Sequence, residues 1–359
     1  MRAGRVLVLG GAGDIGSAIV EELVKLGAEV DIGDLNVQRA LGVARSLKHF
    51  GDVGVVKVDV TSKEDMAAAR RYDVVVNAVG PFYRHGHVVA SALIELGIDA
   101  VDVCDDHDAA ERILELHRRA VEKEVTFVTG LGWTPGLSNI LAKKCCEELG
   151  GEVDEVSISW FGSAADSKGL AVVMHLFHAV TGEVPMYLEG RLTKVKAGTS
   201  PAVFEFPGVG KLKLYYVGHP EPLTISKHLK VSRNVTVRGG LVPAWQNGLL
   251  RALVGMGLTS TEERLERLSR AVHRVEGVFR VGGPALSGVR VEAVRGERRV
   301  SYCSVNRMRK LTAAPAALGA RLILKGEVSE RGVLPPEAVI DPLSFLEGLR
   351  GLGVGVEGQ

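Results

Sequence analysis

The apolar run Val6-Leu7-Val8-Leu9 passes directly into Gly11-Ala12-Gly13-Asp14-Ile15-Gly16, and Asp34 follows eighteen residues after the last of these glycines. A strand, a glycine turn, a helix and a second strand within one such span form the pattern that lays a dinucleotide across the end of a parallel sheet. Gly11 permits the sharp strand-to-helix turn, Gly13 leaves the backbone bare where a pyrophosphate must approach, and Gly16 lets the helix pack closely on its strand. The helix expected from Asp14 then presents unpaired N–H groups and a positive dipole end to the anion. Asp14, Ile15 and Gly16 are therefore expected to line the phosphate site together with Gly11 and Gly13.

Asp34 closes the alternating segment Val30-Asp31-Ile32-Gly33-Asp34, so it is expected at the carboxyl end of the second strand. A carboxylate there accepts hydrogen bonds from both adenosine ribose hydroxyls and repels a 2′-phosphate, which favours NAD. Arg39, five residues on, keeps NADP open as the alternative.

The first half alternates strand and helix. Strands are expected at 6–9, 29–32, 55–58, 74–77, 100–103 and 126–128, with helices at 14–26, 36–48, 62–70, 86–96 and 108–122. Six strands joined by helices argue for a doubly wound parallel sheet of the α/β class. Ligands of such sheets bind beyond the carboxyl ends of the strands. That rule selects Asp34, Asp59 with Val60, and the loops after Asn77, Val103 and Val128.

Near residue 154 the grammar changes. Residues 155–160 alternate like a strand and 170–180 read as a helix, with further β segments near 185–198, 202–206, 211–217 and 234–238. Two alternating runs, 289–294 and 299–305, flank Arg295-Gly296-Glu297-Arg298 as a hairpin would. This is the pattern of an α+β second domain with a mostly antiparallel sheet. The chain is then helical over 316–325 and again from Pro342, and this tail is expected to rejoin the first domain. The expected division is 1–135 with 312–359 for the dinucleotide-binding domain and 136–311 for a substrate and dimerisation domain.

Composition narrows the class. A chain of 359 residues can bury two ordinary cores, and its net charge of +1, with no long run of either sign, points to neither nucleic acid nor an anionic membrane. No apolar stretch nears the roughly 18 residues that suggest a membrane span. The four cysteines, Cys104, Cys145, Cys146 and Cys303, lack a metal-knuckle spacing and suit a reducing cytoplasm. Met1-Arg2-Ala3-Gly4 leads straight into the first expected strand, so no signal peptide is expected. Three Gln and six Asn are few for this length, as in thermophile proteins.

Three loops carry candidate chemistry. Gly80-Pro81-Phe82 ends the fourth strand and suits the nicotinamide side of the cofactor, with Phe82 covering it. Cys104-Asp105-Asp106-His107-Asp108 ends the fifth, where Asp106 or Asp108 can cap the next helix and Asp105 or Asp106 can face a substrate ammonium. Ligands so close in sequence rarely surround one ion, so no metal site is expected there. Trp133-Thr134-Pro135 ends the sixth: Thr134 reads as an N-cap with Pro135 at the first helical position, a helix start able to hold a substrate carboxylate. His175 and His178 share one helix face and read as packing residues. His219-Pro220-Glu221-Pro222 reads as an extended segment whose His219 and Glu221 can supply acid–base groups. None of the tyrosines is followed by Lys four residues later, so the Tyr-x-x-x-Lys pair of short-chain dehydrogenases is missing.

With these residues together, the chain resembles the saccharopine dehydrogenase family, in its lysine 6-dehydrogenase-like subgroup. The resemblance rests on Gly10-Gly11-Ala12-Gly13-Asp14-Ile15-Gly16, Asn77-Ala78-Val79-Gly80-Pro81-Phe82, Val101-Asp102-Val103-Cys104-Asp105-Asp106 and Thr134-Pro135-Gly136-Leu137-Ser138-Asn139. Gly218-His219-Pro220-Glu221-Pro222-Leu223-Thr224 and Gly332-Val333-Leu334-Pro335-Pro336-Glu337 reinforce it. It implies a Rossmann domain, a middle catalytic and dimerising domain, and NAD(P)-linked redox at a carbon–nitrogen bond of an amino acid or amine. Members either oxidise an amine to an imine or reduce an imine made from an aldehyde and an amino acid, as in saccharopine or carboxynorspermidine formation. A non-catalytic NAD-binding sensor or scaffold is the reading from another class. Asp106, His219 and Glu221 remain open as the base, and the loops after strands four to six are expected to meet in one pocket that the middle domain closes.

Overall fold

The computed structural model describes residues 4–163, 165–166, 169–275 and 285–358. In chain order, the first unit runs β1 (Arg5–Leu9), α1 (Asp14–Lys25), β2 (Glu29–Asp34), α2 (Val37–Leu47), β3 (Val53–Lys57) and α3 (Lys63–Met66), the last continued by a 3-10 turn over Ala67–Arg71. It goes on through β4 (Val74–Asn77), α4 (Phe82–Glu95), β5 (Asp99–Asp102), α5 (His107–Leu114), α6 (His117–Glu122) and β6 (Thr126–Val128). The second unit follows: α7 (Leu137–Glu148), β7 (Glu152–Ser163), α8 (Leu170–Ala179), β8 (Glu183–Leu188), β9 (Arg191–Lys196), β10 (Ala202–Phe206) and β11 (Gly210–Tyr216). Then come α9 (Glu221–His228), β12 (Lys230–Val242), α10 (Trp245–Gly255), α11 (Glu262–Arg274), β13 (Ser287–Arg295) and β14 (Arg298–Asn306). The tail adds α12 (Met308–Leu324), β15 (Gly332–Leu334), α13 (Pro336–Val339), α14 (Pro342–Gly351) and β16 (Glu357–Gly358).

Two compact units result: Met1–Leu137 with Arg309–Leu352, and Ser138–Met308 with Gly353–Gln359. At the end of the chain, Glu357 and Gly358 pair with Cys303 and Tyr302 of β14, so residues 353–358 group with the second unit.

The first unit is a seven-stranded sheet in the order β15-β6-β5-β4-β1-β2-β3, with every pairing parallel. The six expected strands are present, and the tail supplies a seventh, β15, too short to read from sequence. Val6, Leu7, Val8 and Leu9 are fully buried because a parallel strand covered on both faces has no solvent side. Each such side chain contributes about 1.5–3 kcal/mol. The direction of winding reverses between β1 and β4, which both carry their carboxyl ends to the same edge.

The second unit is a mixed sheet in the order β10-β11-β12-β7-β13-β14-β16, with the β8–β9 hairpin attached through β12. Its pairings are antiparallel except β12 with β7. Phe161, Phe206, Leu214 and Cys303 form one of its cores, with Phe161 and Phe206 edge to face at 4.8 Å. The helices α10 and α11 lie where the sequence shows little strand pattern, and α9 overturns an expectation. Residues 219–224 are not extended: Glu221 opens α9, with Pro220 at the N-cap position. Pro222 is tolerated there because a first-turn N–H has no partner inside the helix to lose.

Candidate functional site

In the first unit, the loop after β1 is built for close backbone approach. Gly10 has φ +72°, and a Cβ there would sit 2.9 Å from the carbonyl oxygen of Ala78. A Cβ on Gly16 would fall 2.1 Å from the carbonyl oxygen of Gly10, so this glycine seals α1 against the turn. Gly13 differs: its Cβ would meet a single atom, the Gly10 oxygen at 3.0 Å, and otherwise open space. Gly13 is the N-cap residue of α1 and no side chain caps the helix. The N–H groups of Ile15 and Gly16 lack an acceptor within α1, as at any helix start. A bare glycine facing free N–H groups at a positive dipole end fits a pyrophosphate.

Around this turn Asp34 is the organising acid. Its Oδ2 accepts from the Ala12 N–H at 3.0 Å and its Oδ1 from the Asn36 N–H at 2.8 Å. A carboxylate offers about four acceptor positions, so capacity remains for ribose hydroxyls. Arg39, in the first turn of α2, is exposed. Asp59 lies after β3, where its Oδ1 accepts from the Thr61 hydroxyl at 2.6 Å and the Thr61 N–H at 2.9 Å. These bonds hold its carboxyl below the usual carboxylate range. Val60 beside it is half-buried. Asn77 ends β4 fully buried, with Oδ1 accepting from the Val79 N–H at 3.0 Å, while its amide nitrogen has no partner among the described residues. A buried donor without a partner among the described residues, at the switch point, makes Asn77 a candidate member of the site.

The Gly80–Pro81 bond is cis and Pro81 caps α4. The helix starts at Phe82, four residues before the expected 86, and Phe82 is buried against Gly86 in its first turn.

The loop after β5 carries Asp105, half-buried, and Asp106, fully buried. Asp106 is the N-cap residue of α5, but its side chain does not cap: Oδ2 accepts from the Tyr83 N–H at 2.8 Å, tying this loop to α4. Asp102, at the end of β5, joins two loops. Its Oδ1 accepts from the N–H groups of Cys104 (3.0 Å) and Gly130 (2.7 Å) and from the Thr129 hydroxyl (3.0 Å). Burial outweighs these bonds and pushes its pKa up to about 6.

Trp133, Thr134 and Pro135 are all buried, but Pro135 is not the first helical residue. Thr134–Pro135 is a cis bond inside a turn closed by Gly132 N–H to Pro135 O (3.0 Å) and Leu137 N–H to Gly132 O (2.9 Å), and α7 starts only at Leu137. Gly136, with φ +119°, lies so close to Gly132 that a Cβ would be 2.3 Å from its nitrogen. The expected N-cap role of Thr134 is thereby overturned: the chain must close this turn before it can enter a helix.

The second unit holds a buried polar cluster of its own. The Ser138 hydroxyl donates to Glu221 Oε1 at 2.8 Å, and Asn139 Nδ2 donates to Thr224 Oγ1 at 3.2 Å, joining the first turn of α7 to α9. Glu221 Oε2 stands 3.6 Å from His219 Nδ1. The His219 ring is 1% exposed, and neither of its nitrogens has a hydrogen-bond partner among the described residues. It is walled by Trp160 of β7 at 5.4 Å and edge to face by His175 of α8 at 5.2 Å. Trp160 fits because its sheet neighbour is Gly239, where a Cβ would be 2.3 Å from the indole. Leaving a buried polar group unsatisfied costs about 1–3 kcal/mol, which makes this ring a candidate contact for a polar ligand. Of the expected acid–base residues the fold joins His219 with Glu221. Ser138, Asn139 and Thr224 enter the cluster through the fold; their only sign in the sequence is a hydroxyl or amide inside an apolar helix pattern.

Comparison with known proteins bears on these features. Residues 6–128 match the family model described as the saccharopine dehydrogenase NADP binding domain. A "Lipid droplet localized protein" of Caenorhabditis elegans is 27% identical over 139 residues, 36% of this chain and 33% of that protein. A "Saccharopine dehydrogenase-like oxidoreductase" of Rattus norvegicus is 29% identical over 84 residues, 23% of this chain and 20% of that protein. The matches thus span at most a third of the length of these two curated relatives. Apo saccharopine dehydrogenase (L-Glu forming) from Saccharomyces cerevisiae has the same fold, with a TM-score of 0.70 over 99% of both chains at 14% identity. Among the described residues, no helix is long and apolar enough to cross a membrane.

Proposed function

We propose that the chain, whose residues 6–128 match the family model of the saccharopine dehydrogenase NADP binding domain, is an NAD(P)-dependent oxidoreductase acting on a carbon–nitrogen bond of an amino acid or amine. Lysine, oxidised at its 6-position, is the leading substrate. The observation that supports the reading is the buried His219 beside Glu221, whose ring nitrogens have no hydrogen-bond partner among the described residues, a place for a proton and for a polar ligand. A sensor that only binds the dinucleotide needs no such cluster. Reductive joining of an amino acid and an aldehyde uses the same groups in the opposite direction and stands second.

The first unit's part is to hold the dinucleotide. Gly11, Gly13, Asp14, Ile15 and Gly16 take the pyrophosphate, Asp34 the adenosine ribose, Asp59 and Val60 the adenine side, and Gly80, Pro81 and Phe82 the nicotinamide side. NAD is preferred over NADP because Asp34 sets a negative charge where a 2′-phosphate would lie. The nicotinamide, when bound, supplies a hydride acceptor. The chain's own residues must then bring the amine to its neutral form, which needs a base within about 3 Å or one water away. Asp106, His219 and Glu221 are the candidates, and Asp105, Trp133, Thr134 and Pro135 are proposed to orient the substrate. A homodimer formed through the second unit belongs to the same reading.

The test is a panel of amines and amino acids incubated with NAD or NADP and followed at the absorbance of the reduced cofactor. Turnover of lysine or another amine is expected with NAD. A panel without turnover, in a protein that binds the cofactor tightly, would favour the sensor.

A further inference from the structure

We infer that His219 is the proton acceptor of the second unit, held as its Nδ1–H tautomer by Glu221, which is itself positioned by Ser138. The inference deepens the oxidoreductase reading and rests on it only for the identity of the proton donor.

Three observations carry it. First, Glu221 is not free to swing: its Oε1 is engaged by the Ser138 hydroxyl at 2.8 Å, and the residue is fixed in the first turn of α9 between Pro220 and Pro222. Its other oxygen, Oε2, is the carboxylate atom 3.6 Å from Nδ1. Second, the imidazole is confined by Trp160 and His175 and is 1% exposed, so water does not decide its tautomer. Third, Nε2 has no hydrogen-bond partner among the described residues.

A neutral imidazole has one donor and one acceptor nitrogen, and the hydrogen bond made at one fixes the role of the other. A carboxylate facing Nδ1 can only accept, so it selects the proton there and leaves the lone pair on Nε2. The 3.6 Å separation is just beyond hydrogen-bond length, so the selection is electrostatic: the carboxylate oxygen on that side favours the N–H at Nδ1. When Nε2 takes a proton from a substrate ammonium, the N–H bond of the substrate breaks and its electron pair stays on the substrate nitrogen. The ring becomes imidazolium beside the Glu221 carboxylate, so the positive charge moves from ligand to protein and is met there by a negative one. The amine is then neutral, as hydride departure requires. Glu221 is in this account a positioning residue and His219 the group that touches the substrate.

The test reads the tautomer directly by nitrogen-15 NMR on histidine-labelled full-length protein without substrate, with His219 assigned by its loss in His219→Gln. Wild type is expected to show Nδ1 protonated and Nε2 bare. Glu221→Leu, which removes the acceptor, and Ser138→Ala, which unties it, should move His219 toward the Nε2–H form or a mixture. Glu221→Gln, whose amide oxygen can keep the Ser138 bond only by turning its NH2 to Nδ1, puts a donor in place of the acceptor and should likewise move His219 toward the Nε2–H form. A wild-type His219 protonated on Nε2, or one indifferent to Glu221→Leu in a folded variant, overturns the proposal. Should that variant not fold, the wild-type and Ser138→Ala spectra decide. With an amine substrate in hand, His219→Gln should lower kcat about 100-fold or more and Ser138→Ala by a smaller factor with KM little changed. If the tautomer is as stated but no amine is oxidised, the functional reading falls and the dyad stands.

Discussion

The Asp34 carboxylate accepts a hydrogen bond from the backbone N–H of Ala12 at 3.0 Å, so the acid at the end of β2 also holds the glycine turn after β1 in shape. On the proposed reading, cofactor discrimination and the geometry of the glycine turn are coupled through this one side chain. Asp34→Ser should weaken NAD binding and raise relative affinity for NADP, because removing the charge also removes repulsion of the 2′-phosphate. Fluorescence titration of both cofactors checks this. Tighter binding of NADP than NAD by the unaltered protein would show that Asp34 does not play this part.

Gly13 and Gly16 belong to one motif but should fail in different ways. A Cβ on Gly16 meets the Gly10 oxygen at 2.1 Å and backbone carbon at 2.8 Å, so Gly16→Ala should destabilise the fold by about 1–3 kcal/mol and lower the melting temperature. A Cβ on Gly13 meets only the Gly10 oxygen at 3.0 Å, so Gly13→Val should keep most of the stability and lose cofactor affinity by at least about 10-fold. Calorimetry and cofactor titration on both variants separate the two effects. Normal NAD binding by folded Gly13→Val would remove the turn from the phosphate site.

Asp102 should give the protein a stability term of unusual sign. Burial raises its pKa from 3.8 to about 6, so between those values the folded state binds more protons than the unfolded one. Its contribution is therefore greatest below pH 3.8 and declines as pH rises to about 6, by about 3 kcal/mol in all. Asp102→Asn keeps an acceptor for the Gly130 and Cys104 N–H groups and should remove that slope. Urea unfolding of both proteins at about pH 4.5 and about pH 7 measures the difference, and parallel pH dependences would refute it.

The four cysteines should be silent toward thiol reagents. All are free and buried, and burial pushes Cys145, Cys146 and Cys303 to about 12 and Cys104 well above its usual value. The thiolate is the reactive form, so little is present at neutral pH. No thiol should react with an aromatic disulfide in the native protein, and four should react after unfolding. Rapid labelling of a native cysteine would contradict the burial.

What the sequence determined by itself was whatever local periodicity and backbone sterics decide. Val6 to Leu9, the three glycines and Asp34 are close enough in the chain that local sterics specify one strand, one turn, one helix and a second strand, and these elements form where expected. The alternation of residues 289–305 specified its hairpin for the same reason, since each side chain's face follows from its neighbour's. The tertiary structure alone decided three things. It gave β15 its place, because three residues acquire strand geometry only from the partner they pair with. It turned Thr134-Pro135 into a cis turn closed on Gly132 and the His219 to Thr224 segment into a helix start, where proline signals either an extended run or a first helical turn and packing chooses. And it joined Ser138 to Glu221, more than eighty residues apart, since a hydrogen bond between buried side chains depends on where two elements are brought together and leaves no mark in the spacing of either.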